Sequence, residues 1–165
     1  IVTNNKKLRD KLLMIRNHGM LKGYDTRLLG LNLRLPEINA AIATVQMKKL
    51  PKFLKTREKN AKLLSKLLSK SNLDLPLERK NENVNWYLYT VTTPKRNMLL
   101  KKLNAKGIGA ASYYPIPVHK TPFYKSKTKL PITDWAASNV LSLPIHPKVT
   151  AKNIEFIAKT ISEIL

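Results

Sequence analysis

One helical pattern of about 35 residues, running from Pro36 to Lys70, constrains the fold of this chain more than any other feature. Proline is tolerated in the first turn of a helix, and the acidic residue that follows it suits the positive end of the helix dipole. Pro51 lacks an N–H for the helical ladder and predicts a break or kink. A helix of this length is typical of a connector between two lobes. Apolar residues at the spacing of a buried stripe are Ile38, Ala41, Ile42 and Val45.

The rest of the chain predicts a short helix before the long one and a mixed fold after it. Apolar spacing predicts a helix over 6–16, which ends before Gly19 because glycine suits a left-handed helix exit. After the polar segment 71–85, aromatic and β-branched runs predict strands, and 3.6-residue periodicity predicts helices. The predicted strands are 86–92, 108–114 and 141–143, and the predicted helices are 97–106, 132–140 and a last one capped by Thr150.

The composition fits a globular protein with a core. The 165 residues are 43% hydrophobic and include no cysteine, which excludes disulfides and thiolate chemistry. No apolar run approaches the roughly 20 residues needed to span a bilayer, and the first residues lack the apolar centre of a signal peptide. The sequence therefore predicts no membrane contact and a cytoplasmic protein.

The net charge of +21 is the most unusual compositional property. Such an excess of positive charge usually indicates a polyanionic partner. The lysines are spread along the chain, however, and the densest stretch, Lys52 to Lys70, is typical of a solvated helix face. A nucleic-acid partner is therefore not expected, and a basic polyanion-binding module is kept as an alternative.

Common catalytic signatures are absent. The five glycines form no phosphate-binding loop, and neither GxSxG nor HExxH occurs. The three histidines are far apart in sequence, and none has a carboxylate pattern beside it, so no metal site is predicted. His119 lies in a proline-rich loop, where a rigid backbone could present it accurately or where it could be structural. Tyr113 and Tyr114, at the end of a predicted strand, could equally be core or rim.

Asn32 and Arg34 form a polar pair inside the apolar run LLGLNLRL. Residues two apart in extended backbone point to the same side. The pair also directly precedes a helix. An amide and a guanidinium in this position could receive a phosphate or a carboxylate, or could merely decorate the helix entry.

Four ordered blocks of the sequence resemble a known family. They are RNHGM (16–20), LGLNLRLPEINAAIATVQMKKL (29–50), GIGAASYYPIPVHKTPFY (107–124) and VLSLPIHPKVT (140–150). In this order they resemble the C-terminal part of the DegT/DnrJ/EryC1/StrS sugar aminotransferases, which are pyridoxal-phosphate enzymes of the aspartate-aminotransferase fold (fold type I). The resemblance implies an α/β chain whose small α+β domain has a mainly antiparallel sheet covered by helices. The implied parts are the end of the large domain (1–35), the connecting helix (36–70) and the small domain (71–165).

The resemblance also implies roles for particular residues. The asparagine of its GxNxR block is supplied across a dimer interface to the cofactor phosphate, a role that falls on Asn32. Arg34 would lie near the same shared site and pair with an anionic substrate group. Tyr114 and His119 would lie at the mouth where a nucleotide sugar enters. Ala111 stands where relatives often have an arginine, which leaves recognition of substrate charge open.

The implied activity is transfer of an amino group, with glutamate as the expected donor, to a keto group of a nucleotide sugar. In the family the Schiff-base lysine precedes the segment matching IVTNN, so no catalytic residue is expected within this chain, and the chain alone is expected to be inactive. The expected partner is a second copy or a separately encoded N-terminal half. The alternatives are dehydration in place of transamination, or a non-catalytic scaffold or split-enzyme subunit.

Overall fold

The computed structural model describes all residues from Ile1 to Leu165, in two compact units, Ile1–Lys49 and Leu50–Leu165. None of the helices combines the length and the apolarity needed to cross a bilayer. The elements in chain order are α1 (Lys6–Arg16), α2 (Glu37–Leu68), β1 (Tyr89–Thr92), α3 (Arg96–Ala105), a 3-10 turn (Val118–Lys120), α4 (Pro131–Asn139), β2 (Val140–Leu143) and α5 (Ala151–Ile164).

Helix α2 continues through Pro51 from Glu37 to Leu68. The predicted break at Pro51 is therefore wrong, while the kink named as the other possibility stays a prediction. Proline removes one backbone donor, so the carbonyl of Met47 loses its partner four residues on. The helical bonds on either side, together with the packing of the second half of the helix, keep the element continuous.

The predicted buried stripe at the start of α2 is also wrong for this chain by itself. Ile38 is 75% exposed, Ile42 56% and Val45 50%. The helical spacing of these side chains is as predicted, but no element of the unit Ile1–Lys49 covers them. A contiguous exposed apolar face of this kind usually marks a surface that contacts another polypeptide.

The unit Leu50–Leu165 contains a two-stranded antiparallel sheet, as predicted for the small domain. Strand β1 pairs with β2 from Tyr89–Leu143 to Thr92–Val140. The predicted strand at 86–92 is therefore shorter, and the one at 108–114 is reduced to a single bridge between Ala111 and Ser142. Pro115 and Pro117 supply no backbone donors, which limits how far pairing could extend beyond Tyr114.

Helices cover this sheet and form one core with it. The buried side chains come from the second half of α2, from α3, from α5 and from both strands. Tyr89 is fully buried, and its hydroxyl lies 2.8 Å from Ser65 Oγ. Burial raises the pKa of Tyr89, although the hydrogen bond with Ser65 lowers it. The side chains with the least exposure include Leu64, Leu68, Leu99, Leu103, Leu141, Ile154 and Ile161.

Two buried polar side chains connect other segments to this core by hydrogen bonds to backbone carbonyls. The Asn60 amide donates to the carbonyls of Ile145 (3.3 Å) and Val149 (2.9 Å). Arg96 donates to the carbonyls of Ser138 (3.1 Å) and Ala137 (2.9 Å), which lie in the last turn of α4. A buried guanidinium at a helix C-terminus satisfies free carbonyls and complements the helix dipole.

Candidate functional site

The backbone around Asn32 is held against the end of α1. Leu31 N–H donates to Ile15 O (2.8 Å), Leu33 N–H donates to Arg16 O (2.9 Å), and His18 N–H donates to Leu31 O (3.0 Å). Gly19 permits this close approach, because a Cβ there would lie 1.7 Å from the carbonyl oxygen of Leu28. The Gly30–Arg34 segment is thus a fixed platform rather than a free loop.

The side chains of Asn32 and Arg34 differ in how the chain itself uses them. Asn32 is exposed, and its amide makes no hydrogen bond within the chain. Arg34 donates through Nε to Asn17 Oδ1 at 3.1 Å and lines a cavity of about 370 Å³ that also receives Arg16. Asp10 also lines this cavity and Asn32 does not, so the structure does not place the Asn32 amide and the two guanidinium groups in one cavity. An unused amide on a fixed backbone is by itself a suitable donor for a phosphate. The cofactor-phosphate role of Asn32 itself stays a prediction.

The other two predicted site residues lie in the proline-rich segment before α4. Tyr114 is 74% exposed and lines a cavity of about 250 Å³. The His119 side chain is only 14% exposed and lines a second cavity of about 460 Å³ with Tyr124 and Ser126. Val118 and Thr133 line both cavities, so the structure brings Tyr114 and His119 to neighbouring parts of one surface. Their substrate roles stay predictions.

Asp134 lies beside His119. Sequence reasoning did not identify Asp134 as a site residue. His119 Nε2 is 3.8 Å from Asp134 Oδ1, and Lys120 Nζ is 2.7 Å from the same oxygen. Neither Nε2 nor Oδ1 makes a directed hydrogen bond, although both atoms are buried. Ser126 N–H donates to the His119 carbonyl at 2.8 Å. The carboxylate in the first turn of α4 therefore anchors the segment that carries His119.

The one feature of the sequence that could have drawn attention to Asp134 is its acidity, because the chain has only ten acidic residues. It follows Pro131, a residue typical of a helix start, where an acidic side chain is favourable. The contact with His119 joins residues fifteen positions apart through a loop without periodicity. Local pattern could place Asp134 on a helix, but it could not indicate the histidine that the carboxylate faces.

A further cavity of about 490 Å³ involves Arg57, which sequence reasoning also left without a role. Its Nη1 donates to the carbonyls of Trp86 (3.1 Å) and Tyr87 (2.9 Å), and its guanidinium lies 6.0 Å from the centre of the Tyr87 ring. These contacts fix the segment before β1 onto α2. We therefore assign Arg57 a structural function.

Comparison with known proteins gives relatives that are consistently longer than this chain. A pleiotropic regulatory protein of Geobacillus stearothermophilus is 33% identical over 99% of the chain and 46% of its own length. The dTDP-3-amino-3,4,6-trideoxy-alpha-D-glucose transaminase of Streptomyces venezuelae is 34% identical over 89% of the chain and 40% of its own length. The chain thus spans about half the length of the curated relatives it matches.

Solved structures agree with the sequence relatives. Streptomyces venezuelae DesV, crystallised with a ketimine intermediate, has a TM-score of 0.92 at 30% identity, over 98% of this chain and 45% of DesV. A Brucella abortus aminotransferase has a TM-score of 0.90 at 27% identity, over 98% of this chain and 44% of its own. The family model matches residues 1–162. The chain therefore belongs to the DegT/DnrJ/EryC1/StrS aminotransferase family.

Proposed function

We propose that this chain is the C-terminal part of a pyridoxal-phosphate-dependent enzyme that transfers an amino group to a nucleotide sugar, with glutamate as the amino donor. The observation that carries the proposal is the exposed Asn32 amide, which has no partner within the chain although its backbone is fixed. The names of several relatives support the substrate class, since they are transaminases of dTDP- or UDP-linked sugars.

In this proposal Asn32 donates a hydrogen bond to a phosphate oxygen of the cofactor bound by a neighbouring subunit. The amide is neutral, and so it can approach the phosphate without altering the charge of the site. Arg34 supplies a fixed cation for an anionic group of the substrate, because Asn17 orients its guanidinium. When bound, pyridoxal phosphate supplies the electron sink that amino transfer requires.

Tyr114 and His119 would contact the incoming sugar nucleotide. The exposed ring of Tyr114 offers a flat surface to a sugar or a base, and the nearly buried His119 offers an imidazole held by its neighbours. Asp134 would act on the substrate only through His119. Tyr114 and His119 both lie on the proline-rich segment, so the orientation of one side chain is linked to that of the other.

The reactive amine, in this proposal, lies outside the 165 residues. A Schiff-base lysine is usually desolvated or next to another cation, which lowers its pKa and frees its lone pair. Every lysine of this chain is exposed. The chain alone would therefore transfer no amino groups, and it would act with a second polypeptide that supplies the amine.

The exposed apolar face of α2 supports such a partner. Ile38, Ile42 and Val45 would be covered either by a second copy of the chain or by a separately encoded N-terminal half. Analytical ultracentrifugation of the chain alone, and then with a candidate N-terminal half, distinguishes the two. A monomer that associates with the half supports a split enzyme, whereas a dimer of the chain alone supports the homodimer.

Borohydride trapping tests the absence of the reactive amine. Purified chain is incubated with pyridoxal phosphate, reduced and mapped by peptide mass spectrometry. We expect only weak labelling scattered over several exposed lysines. Stoichiometric labelling at a single lysine would show that the chain holds its own reactive amine, and the proposal that it is inactive alone would then be wrong.

The Asn32→Ala variant tests the cofactor contact in the assembled enzyme. Loss of one hydrogen bond to a charged phosphate costs about 1.5–3 kcal/mol, which is roughly 10- to 150-fold in cofactor affinity. Cofactor release by dialysis, followed by absorbance, measures the change. Asn104→Ala, which truncates an exposed asparagine on α3, is the matched control and should retain the cofactor. Equal retention in both variants would contradict the role of Asn32.

A further inference from the structure

A row of exposed lysines runs along the second half of α2, opposite the face that packs in the core. Successive members are three or four residues apart, so at about 100° per residue all of them fall within an arc of about 80°. No other residue type occupies that arc between the first and the last member. The five members are Lys52, Lys55, Lys59, Lys62 and Lys66.

The charges of this lysine row are almost unopposed. A solvated helix usually alternates opposite charges at i, i+3 and i, i+4, because like charges at these spacings repel. Here each member has another lysine as its neighbour, and Glu58 is the single carboxylate between the ends of the row. Glu58 pairs with Lys62, and Glu78 also lies close enough to contribute to the raised pKa of Lys62. The hydrogen bond between Glu58 and Lys62 lowers the pKa of Glu58 and raises the pKa of Lys62, so both stay charged at neutral pH.

The sequence alone favours a solvated face for this stretch and no nucleic-acid partner. From the uninterrupted arc of lysines on the helix we propose instead that the lysine row of α2 binds the phosphate backbone of double-stranded nucleic acid, without reading its sequence. The row is about 21 Å long at 1.5 Å per residue. Duplex DNA carries one negative charge per roughly 1.7 Å, so a segment of this length presents a charge for every member. This binding is independent of the proposed amino transfer and would persist if that proposal failed.

The surroundings of the row favour a duplex over the other polyanions. Proteins that bind single strands place aromatic side chains among the cations for base stacking, and this row contains none. Amphipathic helices that bind membranes insert their apolar face. The apolar face of this half of α2 is not free to insert, because Ala61, Leu64 and Leu68 are buried in the core. Only charge is available, which suits a rigid array of phosphates.

The test measures binding of the full chain to a fluorescent duplex of about 20 base pairs, by anisotropy, between about 50 and 200 mM salt. The row variant changes all five members to glutamine. The control variant makes the same change in net charge elsewhere, at lysines that are exposed and form no ion pair. The control positions are Lys101, Lys106, Lys127, Lys129 and Lys152.

We expect log K to fall linearly with log salt, and the slope to become shallower by about four units in the row variant against about one unit or less in the control. Equal losses in the two variants would show that net charge alone drives binding, and would overturn the proposal. So would a wild-type chain that does not bind the duplex at about 50 mM salt.

Binding of the chain to vesicles that contain phosphatidylserine, measured at the same salt concentrations, distinguishes a membrane ligand from a duplex. Row-dependent binding to the vesicles without binding to the duplex would also overturn the proposal. Circular dichroism checks that the variants are folded. If five changes disturb α2, the Lys55→Gln/Lys59→Gln pair gives the same test, with an expected slope change of about two units.

Discussion

Asp134 is the residue on which the proline-rich segment depends most clearly. Its carboxylate is the single acidic group close to both His119 (3.8 Å) and Lys120 (2.7 Å), and it lies at the start of α4. Arg96 ties the other end of α4 to the core through the carbonyls of Ala137 and Ser138. His119 is therefore connected to the core through the nine-residue helix α4. Asp134 contacts His119 at the start of this helix, and Arg96 binds the carbonyls at its end.

The Asp134→Asn variant should loosen this segment without unfolding the chain. The shape of the side chain is kept, but the Lys120 ammonium loses its counter-charge and His119 loses the neighbouring carboxylate. Because Lys120 is 48% exposed, the loss should not exceed about 1 kcal/mol, or roughly fivefold in local opening. Hydrogen exchange of the Ser126 amide, which donates to the His119 carbonyl, measures the effect.

Asp10→Asn provides the control for this measurement. Asp10 forms an exposed ion pair with the adjacent Arg9, remote in sequence from the proline-rich segment. Exchange at Ser126 should be unchanged in that variant, and exchange within α5 should be unchanged in both. Wild-type protection of Ser126 in Asp134→Asn would mean that the backbone holds the segment without the carboxylate.

Among the elements, α2 has the least expected feature, a proline fifteen residues into an uninterrupted helix. The exposed position of Pro51 means that the ring fills no space in the core. Its cost to the helix, the missing N–H and the clash with the preceding turn, is therefore not offset by buried contacts.

Pro51→Ala should accordingly stabilise the chain. Proline is about 3 kcal/mol less favourable than alanine in a helix interior, and restoring the N–H returns a partner to the Met47 carbonyl. We expect the free energy of unfolding in urea to rise by about 1–3 kcal/mol. Lys49→Ala, at an exposed position of the same helix, should change it by less than about 0.5 kcal/mol. A lower free energy of unfolding in Pro51→Ala would indicate that the proline sets a helix conformation on which the packing of neighbouring segments depends.

The elements also show which parts of this fold the sequence could predict. The α1 helix spans the predicted 6–16, because the periodicity and the cap of a helix are local. The expected strand at 108–114 depended on pairing with distant residues, and only Ala111 pairs. The site follows the same division. The spacing of Asn32 and Arg34 predicts a pair, which stays a prediction, whereas the contact between His119 and Asp134 arises only from the tertiary fold.

For the whole molecule, charge is the dominant long-range property. The chain has 31 basic and 10 acidic residues, which gives a net charge of +21. Its ion pairs are few and mostly exposed, and such pairs contribute about 0–1 kcal/mol each. Repulsion among the remaining cations acts over distances comparable to the Debye length, and it destabilises the compact state.

Added salt should therefore stabilise this protein. Screening weakens both the repulsion and the exposed ion pairs, but with three times as many cations as anions the relief of repulsion is the larger change. We expect the Tm at pH 7 to rise between about 10 and 200 mM NaCl, over which the Debye length falls from about 30 Å to below 10 Å. The row variant, with five fewer cations, should begin with a higher Tm and gain less from salt. A Tm that falls with NaCl would mean that the few ion pairs contribute more to stability than the repulsion removes. If the Tm of the wild-type chain rises with NaCl no more than that of the row variant, the destabilising repulsion arises from cations outside the lysine row of α2.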